Sequence, residues 1–400
     1  MSEQAQELEL TLFYGQSWIS RIGPNRRQID GALHPETALM LDDGRGVIGW
    51  NGKEPRVSNP RYVPAYELES RSQSICIPYL FRRAARVQRQ GQSKLIAGRG
   101  EGTAGAPIRK LLRDPKINDD PRAHGFENLM SAIDTHVANA RGMKLAPTIP
   151  YVVWCQGAGD GRATYRGYRK KLEHLFDEVS AAVLAKTKQP TPPMFLIIQP
   201  PGRAQGGNWK CLQVQVDLAF EREDCILAMA GWPLDQYDHV HFSGKSAVIA
   251  GELLQIVAHG IESGDWVSAP FLTDYKRDGA TITARISGPH DIKIDETHTS
   301  PRHTVAGAPV PNYGFTAYGA EIKSVEISSR HVEITLDRTD GKVTIGYAWH
   351  KGEDRATAAG TRANQSANRG SLRAKWRVKS QFTDDYIHQW LASGYHTFEG

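Results

Sequence analysis

The stretch ELTLFYGQSW, residues 9–18, decides how the rest of the chain is read. Its first six residues form an apolar run of strand length with no helical period, as expected for a strand buried on both faces of a sheet. The run passes directly into Gly15-Gln16-Ser17-Trp18. A glycine there permits a sharp turn and leaves the Ser17 hydroxyl at the carboxyl end of the strand, where a nucleophile is useful. The competing reading is that Ser17 only caps the helix that follows.

Four more runs of the same kind recur: KLIA (94–97), IPYVVWC (149–155), MFLIIQ (194–199) and CILAM (225–229). Between them, Phe126, Leu129, Met130, Ile133, Val137 and Ala140 repeat at spacings of three and four, and a longer helical pattern covers about 164–187. Pro107 opens a further helical stretch, IRKLL. Strands alternating with helices predict an α/β fold, a parallel sheet covered on both faces, with ligands gathering at the carboxyl ends of its strands. Residues 20–75 break the rhythm with polar, Gly-, Pro- and Arg-rich sequence too long for an ordinary connection, which predicts an insertion or lid at the site.

From about residue 265 the texture changes. TITARI, HDIKID, AEIKSVEIS, HVEITLDR and KVTIGYAW alternate apolar and polar residues between Gly, Pro and Asp-Gly breaks, which predicts antiparallel strands in a β-sandwich or jelly roll. The division expected is therefore 1–264 and 265–400, with 351–372 as a small polar loop.

Composition excludes several classes. Lys+Arg number 49 against 44 Asp+Glu, a net charge of +5 that is not gathered into a long basic run, so nucleic acid is not an expected partner. No window approaches eighteen consecutive apolar residues and the first residues lack a basic-then-apolar leader, so neither a membrane span nor an export signal is expected. Cys76, Cys155, Cys211 and Cys225 fit no paired zinc pattern and no disulfide framework; they are expected to be reduced, mostly buried thiols.

Three further segments carry residues suited to chemistry. Asp238-His239-Val240-His241 follows the fifth strand and precedes a helical segment; an Asp three residues from a His can orient the imidazole that takes a serine proton. Asp235, Asp238, His239 and His241 also form a set of metal-ligand types within seven residues, a rival reading as a metal-dependent hydrolase. Gly98–Gly105 contains a literal GxGxxG, but without the Rossmann context of first strand and following acidic residue; it is read instead as a loop offering backbone N–H groups to an oxyanion. Trp154-Cys155-Gln156-Gly157-Ala158-Gly159-Asp160 ends the third strand, where the Gln156 amide could donate to the same oxyanion.

Taken in order, these blocks resemble the SGNH (GDSL-like) hydrolases, in particular the carbohydrate-esterase branch that includes sialate O-acetylesterases and acetylxylan esterases. Gly15-Gln16-Ser17 resembles the branch's GQS block. Ala104-Gly105-Ala106-Pro107-Ile108 loosely resembles GGTSI, Trp154–Gly157 resembles WxQGE, and Asp238–His241 resembles DxxH. Ala158 stands where the branch often has Glu, and the glycine block lacks its second glycine and its serine. The resemblance covers about residues 9–262 and implies a flavodoxin-like sheet and a serine esterase acting on O-acetyl groups of a polysaccharide or oligosaccharide, with no cofactor. It implies Ser17 as nucleophile, His241 as general base and Asp238 as its orienting acid. The oxyanion would be held by the N–H groups of Ser17 and Gly105, with Gly102 competing for the latter role, and by the Gln156 amide, donors worth about 3 kcal/mol each.

Gln16, Trp18 and Trp232, with Tyr62, Tyr66 and Tyr237, are the candidates to line a sugar site, and the C-terminal aromatics are expected to be core. A reading of another class stands beside this one: a glycan-binding or virion structural protein, such as a phage-tail component, on a hydrolase fold. The sequence leaves the compartment and any homo-oligomer undecided.

Overall fold

The structure, a computed structural model, describes residues 6–20, 27–49, 57, 59–68, 75–113, 125–201, 209–237, 240–296, 310–349 and 369–400. The opening run is strand β1 (Glu7–Gly15), and it lies in the middle of a seven-stranded sheet. The other strands are β2 (Ala38–Leu41), β3 (Tyr62–Pro64), β4 (Lys94–Gly102), β5 (Ala146–Cys155), β6 (Met194–Ile198) and β7 (Cys225–Met229). Their order is β3-β2-β4-β1-β5-β6-β7, parallel throughout except for β3 against β2.

Side-chain parity sorts β1 between two cores. Leu8, Leu10, Leu12 and Tyr14 face the cluster built with α3 (Gly125–Gly142), α4 (Tyr165–Thr187) and α5 (Lys210–Glu221). Phe13 faces the cluster built with α2 (Cys76–Arg89) and α6 (Gly244–Ser263), where Thr11 also donates to the Tyr79 hydroxyl. A strand sandwiched in this way has no solvent face, which is why its sequence shows a run rather than an alternation. Glu9 is buried on that α2 side. Burial alone would raise its carboxyl, but Arg83, which grips it with two donors, and Lys94 hold it below its ordinary range.

Two sequence expectations need correction here. The span 20–75 is not wholly an insertion outside the fold, because β2 and β3 extend the sheet at its edge. And the glycines after KLIA are not a loop: β4 continues through Gly98 and Gly100 to Gly102. A Cβ on Gly98 would stand 2.5 Å from the Cys76 sulfur, so glycine here lets α2 close onto the strand. The turn after it begins at Thr103, and Pro107 precedes only a single 3-10 turn, Ile108–Lys110.

Beyond α6 the described residues form ten strands: β8 (Phe271–Asp278), β9 (Thr281–Ser287), β10 (Ile292–Ile294), β11 (Phe315–Tyr318), β12 (Ile322–Ile327), β13 (His331–Leu336), β14 (Val343–Tyr347), β15 (Leu372–Lys379), β16 (Tyr386–Trp390) and β17 (Gly394–Phe398). Among the described residues they pair antiparallel, as expected, in three sheets, β12-β13-β9-β8, β10-β15-β16 and β11-β14-β17; these pairings do not by themselves establish the expected sandwich or jelly roll. Register shifts in β8, β12 and β15 accompany this division, since a bulge bends a strand and locally interrupts pairing. Most of the expected loop, residues 351–368, lies outside the described residues.

Candidate active site

The carboxyl ends of β1, β4, β5 and β7 meet at one edge of the sheet. At the end of β1, Gly15 has φ +142, and a Cβ there would lie 2.2 Å from the Cys155 carbonyl oxygen of the neighbouring strand. Only glycine fits this turn while both neighbours stay paired: Gln16 N–H donates to Cys155 O at 2.9 Å, and Thr103 N–H donates to Gly15 O at 2.9 Å. The chain then enters the short helix α1 (Ser17–Ser20), and Ser17, as its first residue, has no intrahelical acceptor for its N–H.

The loop from β7 to α6 brings His241 to this point. Its Nε2 lies 2.8 Å from Ser17 Oγ. The loop is tied internally by Tyr237 N–H to His241 O at 3.0 Å, by Ser243 N–H to Asp235 O at 2.8 Å, and by a bridge between Gln236 and Phe242. Phe242 is fully buried beneath it, and Ser243 caps α6 by accepting from Ser246 N–H. The Tyr237 ring stacks on the His241 imidazole, centroids 5.7 Å apart. A serine hydroxyl against an imidazole nitrogen is the pairing that general-base activation requires. Asp238 and His239 lie outside the described residues. Among the described residues no group of three or more His, Cys, Asp or Glu converges as a metal site.

The oxyanion candidates divide. Gly105 has φ +66 on an exposed turn and an N–H with no hydrogen-bond partner among the described residues, whereas Gly102 closes β4 in register with Gly15. Gln156 is fully buried and its amide is engaged: Nε2 donates to Asp160 Oδ2 at 2.5 Å and to Ala106 O at 3.2 Å, while Oε1 accepts from the Tyr168 hydroxyl at 2.8 Å. Both amide hydrogens are thus used, and Gln156 reaches an oxyanion only by releasing one of them. Asp160, to which the sequence reading assigned no role, also accepts from Ile108 N–H at 2.6 Å and so ties the glycine turn to the β5 loop. Burial raises its carboxyl above the ordinary range against these two donors.

Three of the six residues expected to line a sugar site, Gln16, Trp18 and Trp232, are instead inside the protein. Gln16 is 1% exposed and its Oε1 accepts from Gly157 N–H at 2.9 Å. Trp18 is buried, and its indole N–H donates to Val240 O at 2.9 Å, one residue from His241. Trp232 is buried and donates to Leu391 O at 2.9 Å. Their aromatic or amide character was legible, but what each would face depends on loops far apart in sequence. Tyr62 is likewise turned inward, onto His136 Nδ1 at 3.0 Å; Tyr66 and Tyr237 are the exposed members of that set. All four cysteines are free and buried, and burial raises the Cys155 thiol well above its ordinary range, so it is no rival nucleophile. No described helix is long and apolar enough to cross a membrane.

No protein-family model and no curated protein matches the sequence. Among solved structures, a carbohydrate acetylesterase from Xanthomonas citri is similar with a TM-score of 0.58 at 14% identity, over 97% of this chain and 80% of that one. An aryl esterase from M. smegmatis (TM-score 0.35, 16% identity, 64% of this chain and 99% of that one) and a carbohydrate acetylesterase from Sinorhizobium meliloti (0.36, 16%, 64% and 99%) are also matched. The first of these likenesses is one of fold, and it extends past α6 into the β-rich C-terminal part.

Proposed function

We propose that this chain, which shares its fold with a carbohydrate acetylesterase, is itself a serine esterase that removes O-acetyl groups from a carbohydrate. The observation that carries this reading is the 2.8 Å contact between Ser17 Oγ and His241 Nε2 at the carboxyl edge of the sheet. In the acylation step Ser17 Oγ bonds to the ester carbonyl carbon as its proton passes to His241 Nε2. The tetrahedral intermediate collapses with release of the sugar alkoxide, which takes that proton. Water, deprotonated by the same imidazole, then frees acetate and restores Ser17. Asp238 is assigned the task of holding the imidazole in its working tautomer, on the sequence spacing alone. The Ser17 and Gly105 N–H groups are assigned to the oxyanion, with Gln156 joining only if Asp160 or Ala106 gives up its hydrogen bond. Nothing in this scheme calls for a metal or an organic cofactor. The exposed rings of Tyr66 and Tyr237 suit the apolar face of a sugar.

The test is acetate release from p-nitrophenyl acetate and from a panel of O-acetylated glycans, by the wild type and by Ser17→Ala. Release that depends on Ser17 supports the reading. No release from any member, with glycan binding retained, would make the chain a non-catalytic glycan-binding protein on this fold.

A further inference from the structure

Trp232 lies in the loop that leads from β7 to His241, yet its surroundings belong to the far end of the chain. Its indole N–H donates to Leu391 O at 2.9 Å, and its ring meets Trp390 edge-on at 5.4 Å and Tyr347 at 6.3 Å. Nearby bonds cross the same boundary. Gln389 Nε2 donates to Ala228 O at 2.8 Å within β7, and Gln199 exchanges two hydrogen bonds with the Ser393 backbone, at 2.8 and 2.9 Å. Arg369, buried beside the C-terminal strands, has Asp235 of the histidine loop as the charge that counters its desolvation. On the opposite side of the loop, Trp18 of the nucleophile helix holds Val240 O. The loop is therefore gripped at both ends by indole N–H groups, one from the element that carries Ser17 and one anchored in the C-terminal strands.

We infer that Trp232 is a positioning residue for His241, and that the C-terminal wall of Tyr347, Trp390 and Leu391 is part of the catalytic architecture; the inference rests on the esterase reading above. An imidazole displaced by about 1 Å from its nucleophile can cost on the order of a hundredfold in rate, so a loop carrying a general base needs rigid support. Trp232 is the large side chain by which the loop enters a packed core other than that of the sheet.

The experiment compares Trp232→Ala and Trp232→Phe with Gln213→Ala, which cuts a contact of the same boundary at a different place, the Tyr395 N–H bond at 2.7 Å. Three quantities are read: kcat and KM on p-nitrophenyl acetate, the pH profile of kcat/KM, and hydrogen exchange at the Tyr237 and Ser243 amides. Trp232→Ala is expected to lower kcat about 30- to 100-fold with KM within about threefold, and to move the pH profile. The two loop amides are expected to exchange about tenfold faster while those of β1 and α6 hold. Trp232→Phe, which keeps a ring but loses the N–H, should fall between, and Gln213→Ala should leave kcat near wild type. If Trp232→Ala fails to fold, Trp232→Phe carries the comparison. Unchanged loop exchange, or equal kcat losses in Trp232→Phe and Gln213→Ala, overturns the inference. If the wild type releases no acetate, the esterase reading falls by itself and the exchange data alone decide whether Trp232 orders the loop.

Discussion

Ser17 Oγ and His241 Nε2 stand 2.8 Å apart although 224 positions separate them in the chain. One sits at the end of the central strand, the other in the loop after the last strand of the sheet, and β5 and β6 intervene between those two strands. The loop must therefore reach back over the carboxyl edge, and Trp18 meets it there at Val240.

Replacing Ser17 by Ala removes one half-buried hydroxyl and no packed carbon. Turnover of acetyl esters is expected to fall at least about a thousandfold while the urea midpoint stays put. Steady-state kinetics and denaturation on the same preparation check this, and near-normal turnover would sink the mechanism.

The two glycines of the site should respond differently to alanine. At Gly15 the new methyl would lie 2.2 Å from a backbone oxygen at φ +142, so Gly15→Ala is expected to lose at least about 3 kcal/mol or fail to fold. At Gly105 an added Cβ would meet none of the described residues beyond its chain neighbours within 4 Å, and only the left-handed conformation is penalised, by about 1–2 kcal/mol. Bulkier replacements at Gly105 should then damage kcat more than stability if its N–H serves the oxyanion.

Gln156→Ala separates a structural amide from a catalytic one. Tyr168 and Asp160 would each lose a buried partner, for a stability loss of about 1–3 kcal/mol. With Gln156 held as in this structure, kcat should change by less than about tenfold. A loss of about a hundredfold at unchanged stability would place the amide on the oxyanion instead.

His136 is buried between α3 and the sheet, and burial lowers its imidazole from 6.5 to about 4. The folded protein thus keeps it neutral at pH values where the unfolded chain binds a proton. Its contribution is complete above about pH 6.5, falls as pH drops toward 4, and levels off below, a loss of about 3 kcal/mol in all. Urea midpoints at pH 7 and 4.5 should show the fall, and His136→Gln should flatten it.

The division read at 264/265 allows two outcomes for a chain cut near residue 265: an intact hydrolase part, since Ser17, Gln156, Asp238 and His241 all precede the cut, or a fragment that aggregates through exposed apolar surface. The contacts across this boundary favour the second. Trp232 would lose its wall, Gln199 would lose both Ser393 bonds, and Glu252 in α6 would lose the Ser380 hydroxyl and the Gln381 N–H. Exposed apolar surface and unsatisfied buried polar groups predict an aggregating fragment. Light scattering and ester turnover of the soluble fraction check it; a monomeric, active fragment would show that the C-terminal strands are dispensable.

By itself the sequence determined the elements whose signal is local. Each of the five apolar runs is a parallel strand, the spacings of Phe126–Ala140 and 164–187 are helices α3 and α4, and the period-two segments after 265 are antiparallel strands. It also placed Ser17 at a strand end and His241 in a loop after a strand, because a glycine turn after a buried strand and a His between a strand and a helix are readable over a few residues. Only the tertiary structure decided what each side chain faces. Gln16, Trp18 and Trp232 have the chemistry of sugar-binding residues, and are inward ties because their polar atoms find partners at Gly157 in the β5 loop, Val240 and Leu391. The glycines at 98 and 100 look like a loop in sequence, yet stay in β4 because α2 and α1 press against them. Burial and partnership are set by residues a hundred or more positions away, and no local pattern encodes that distance.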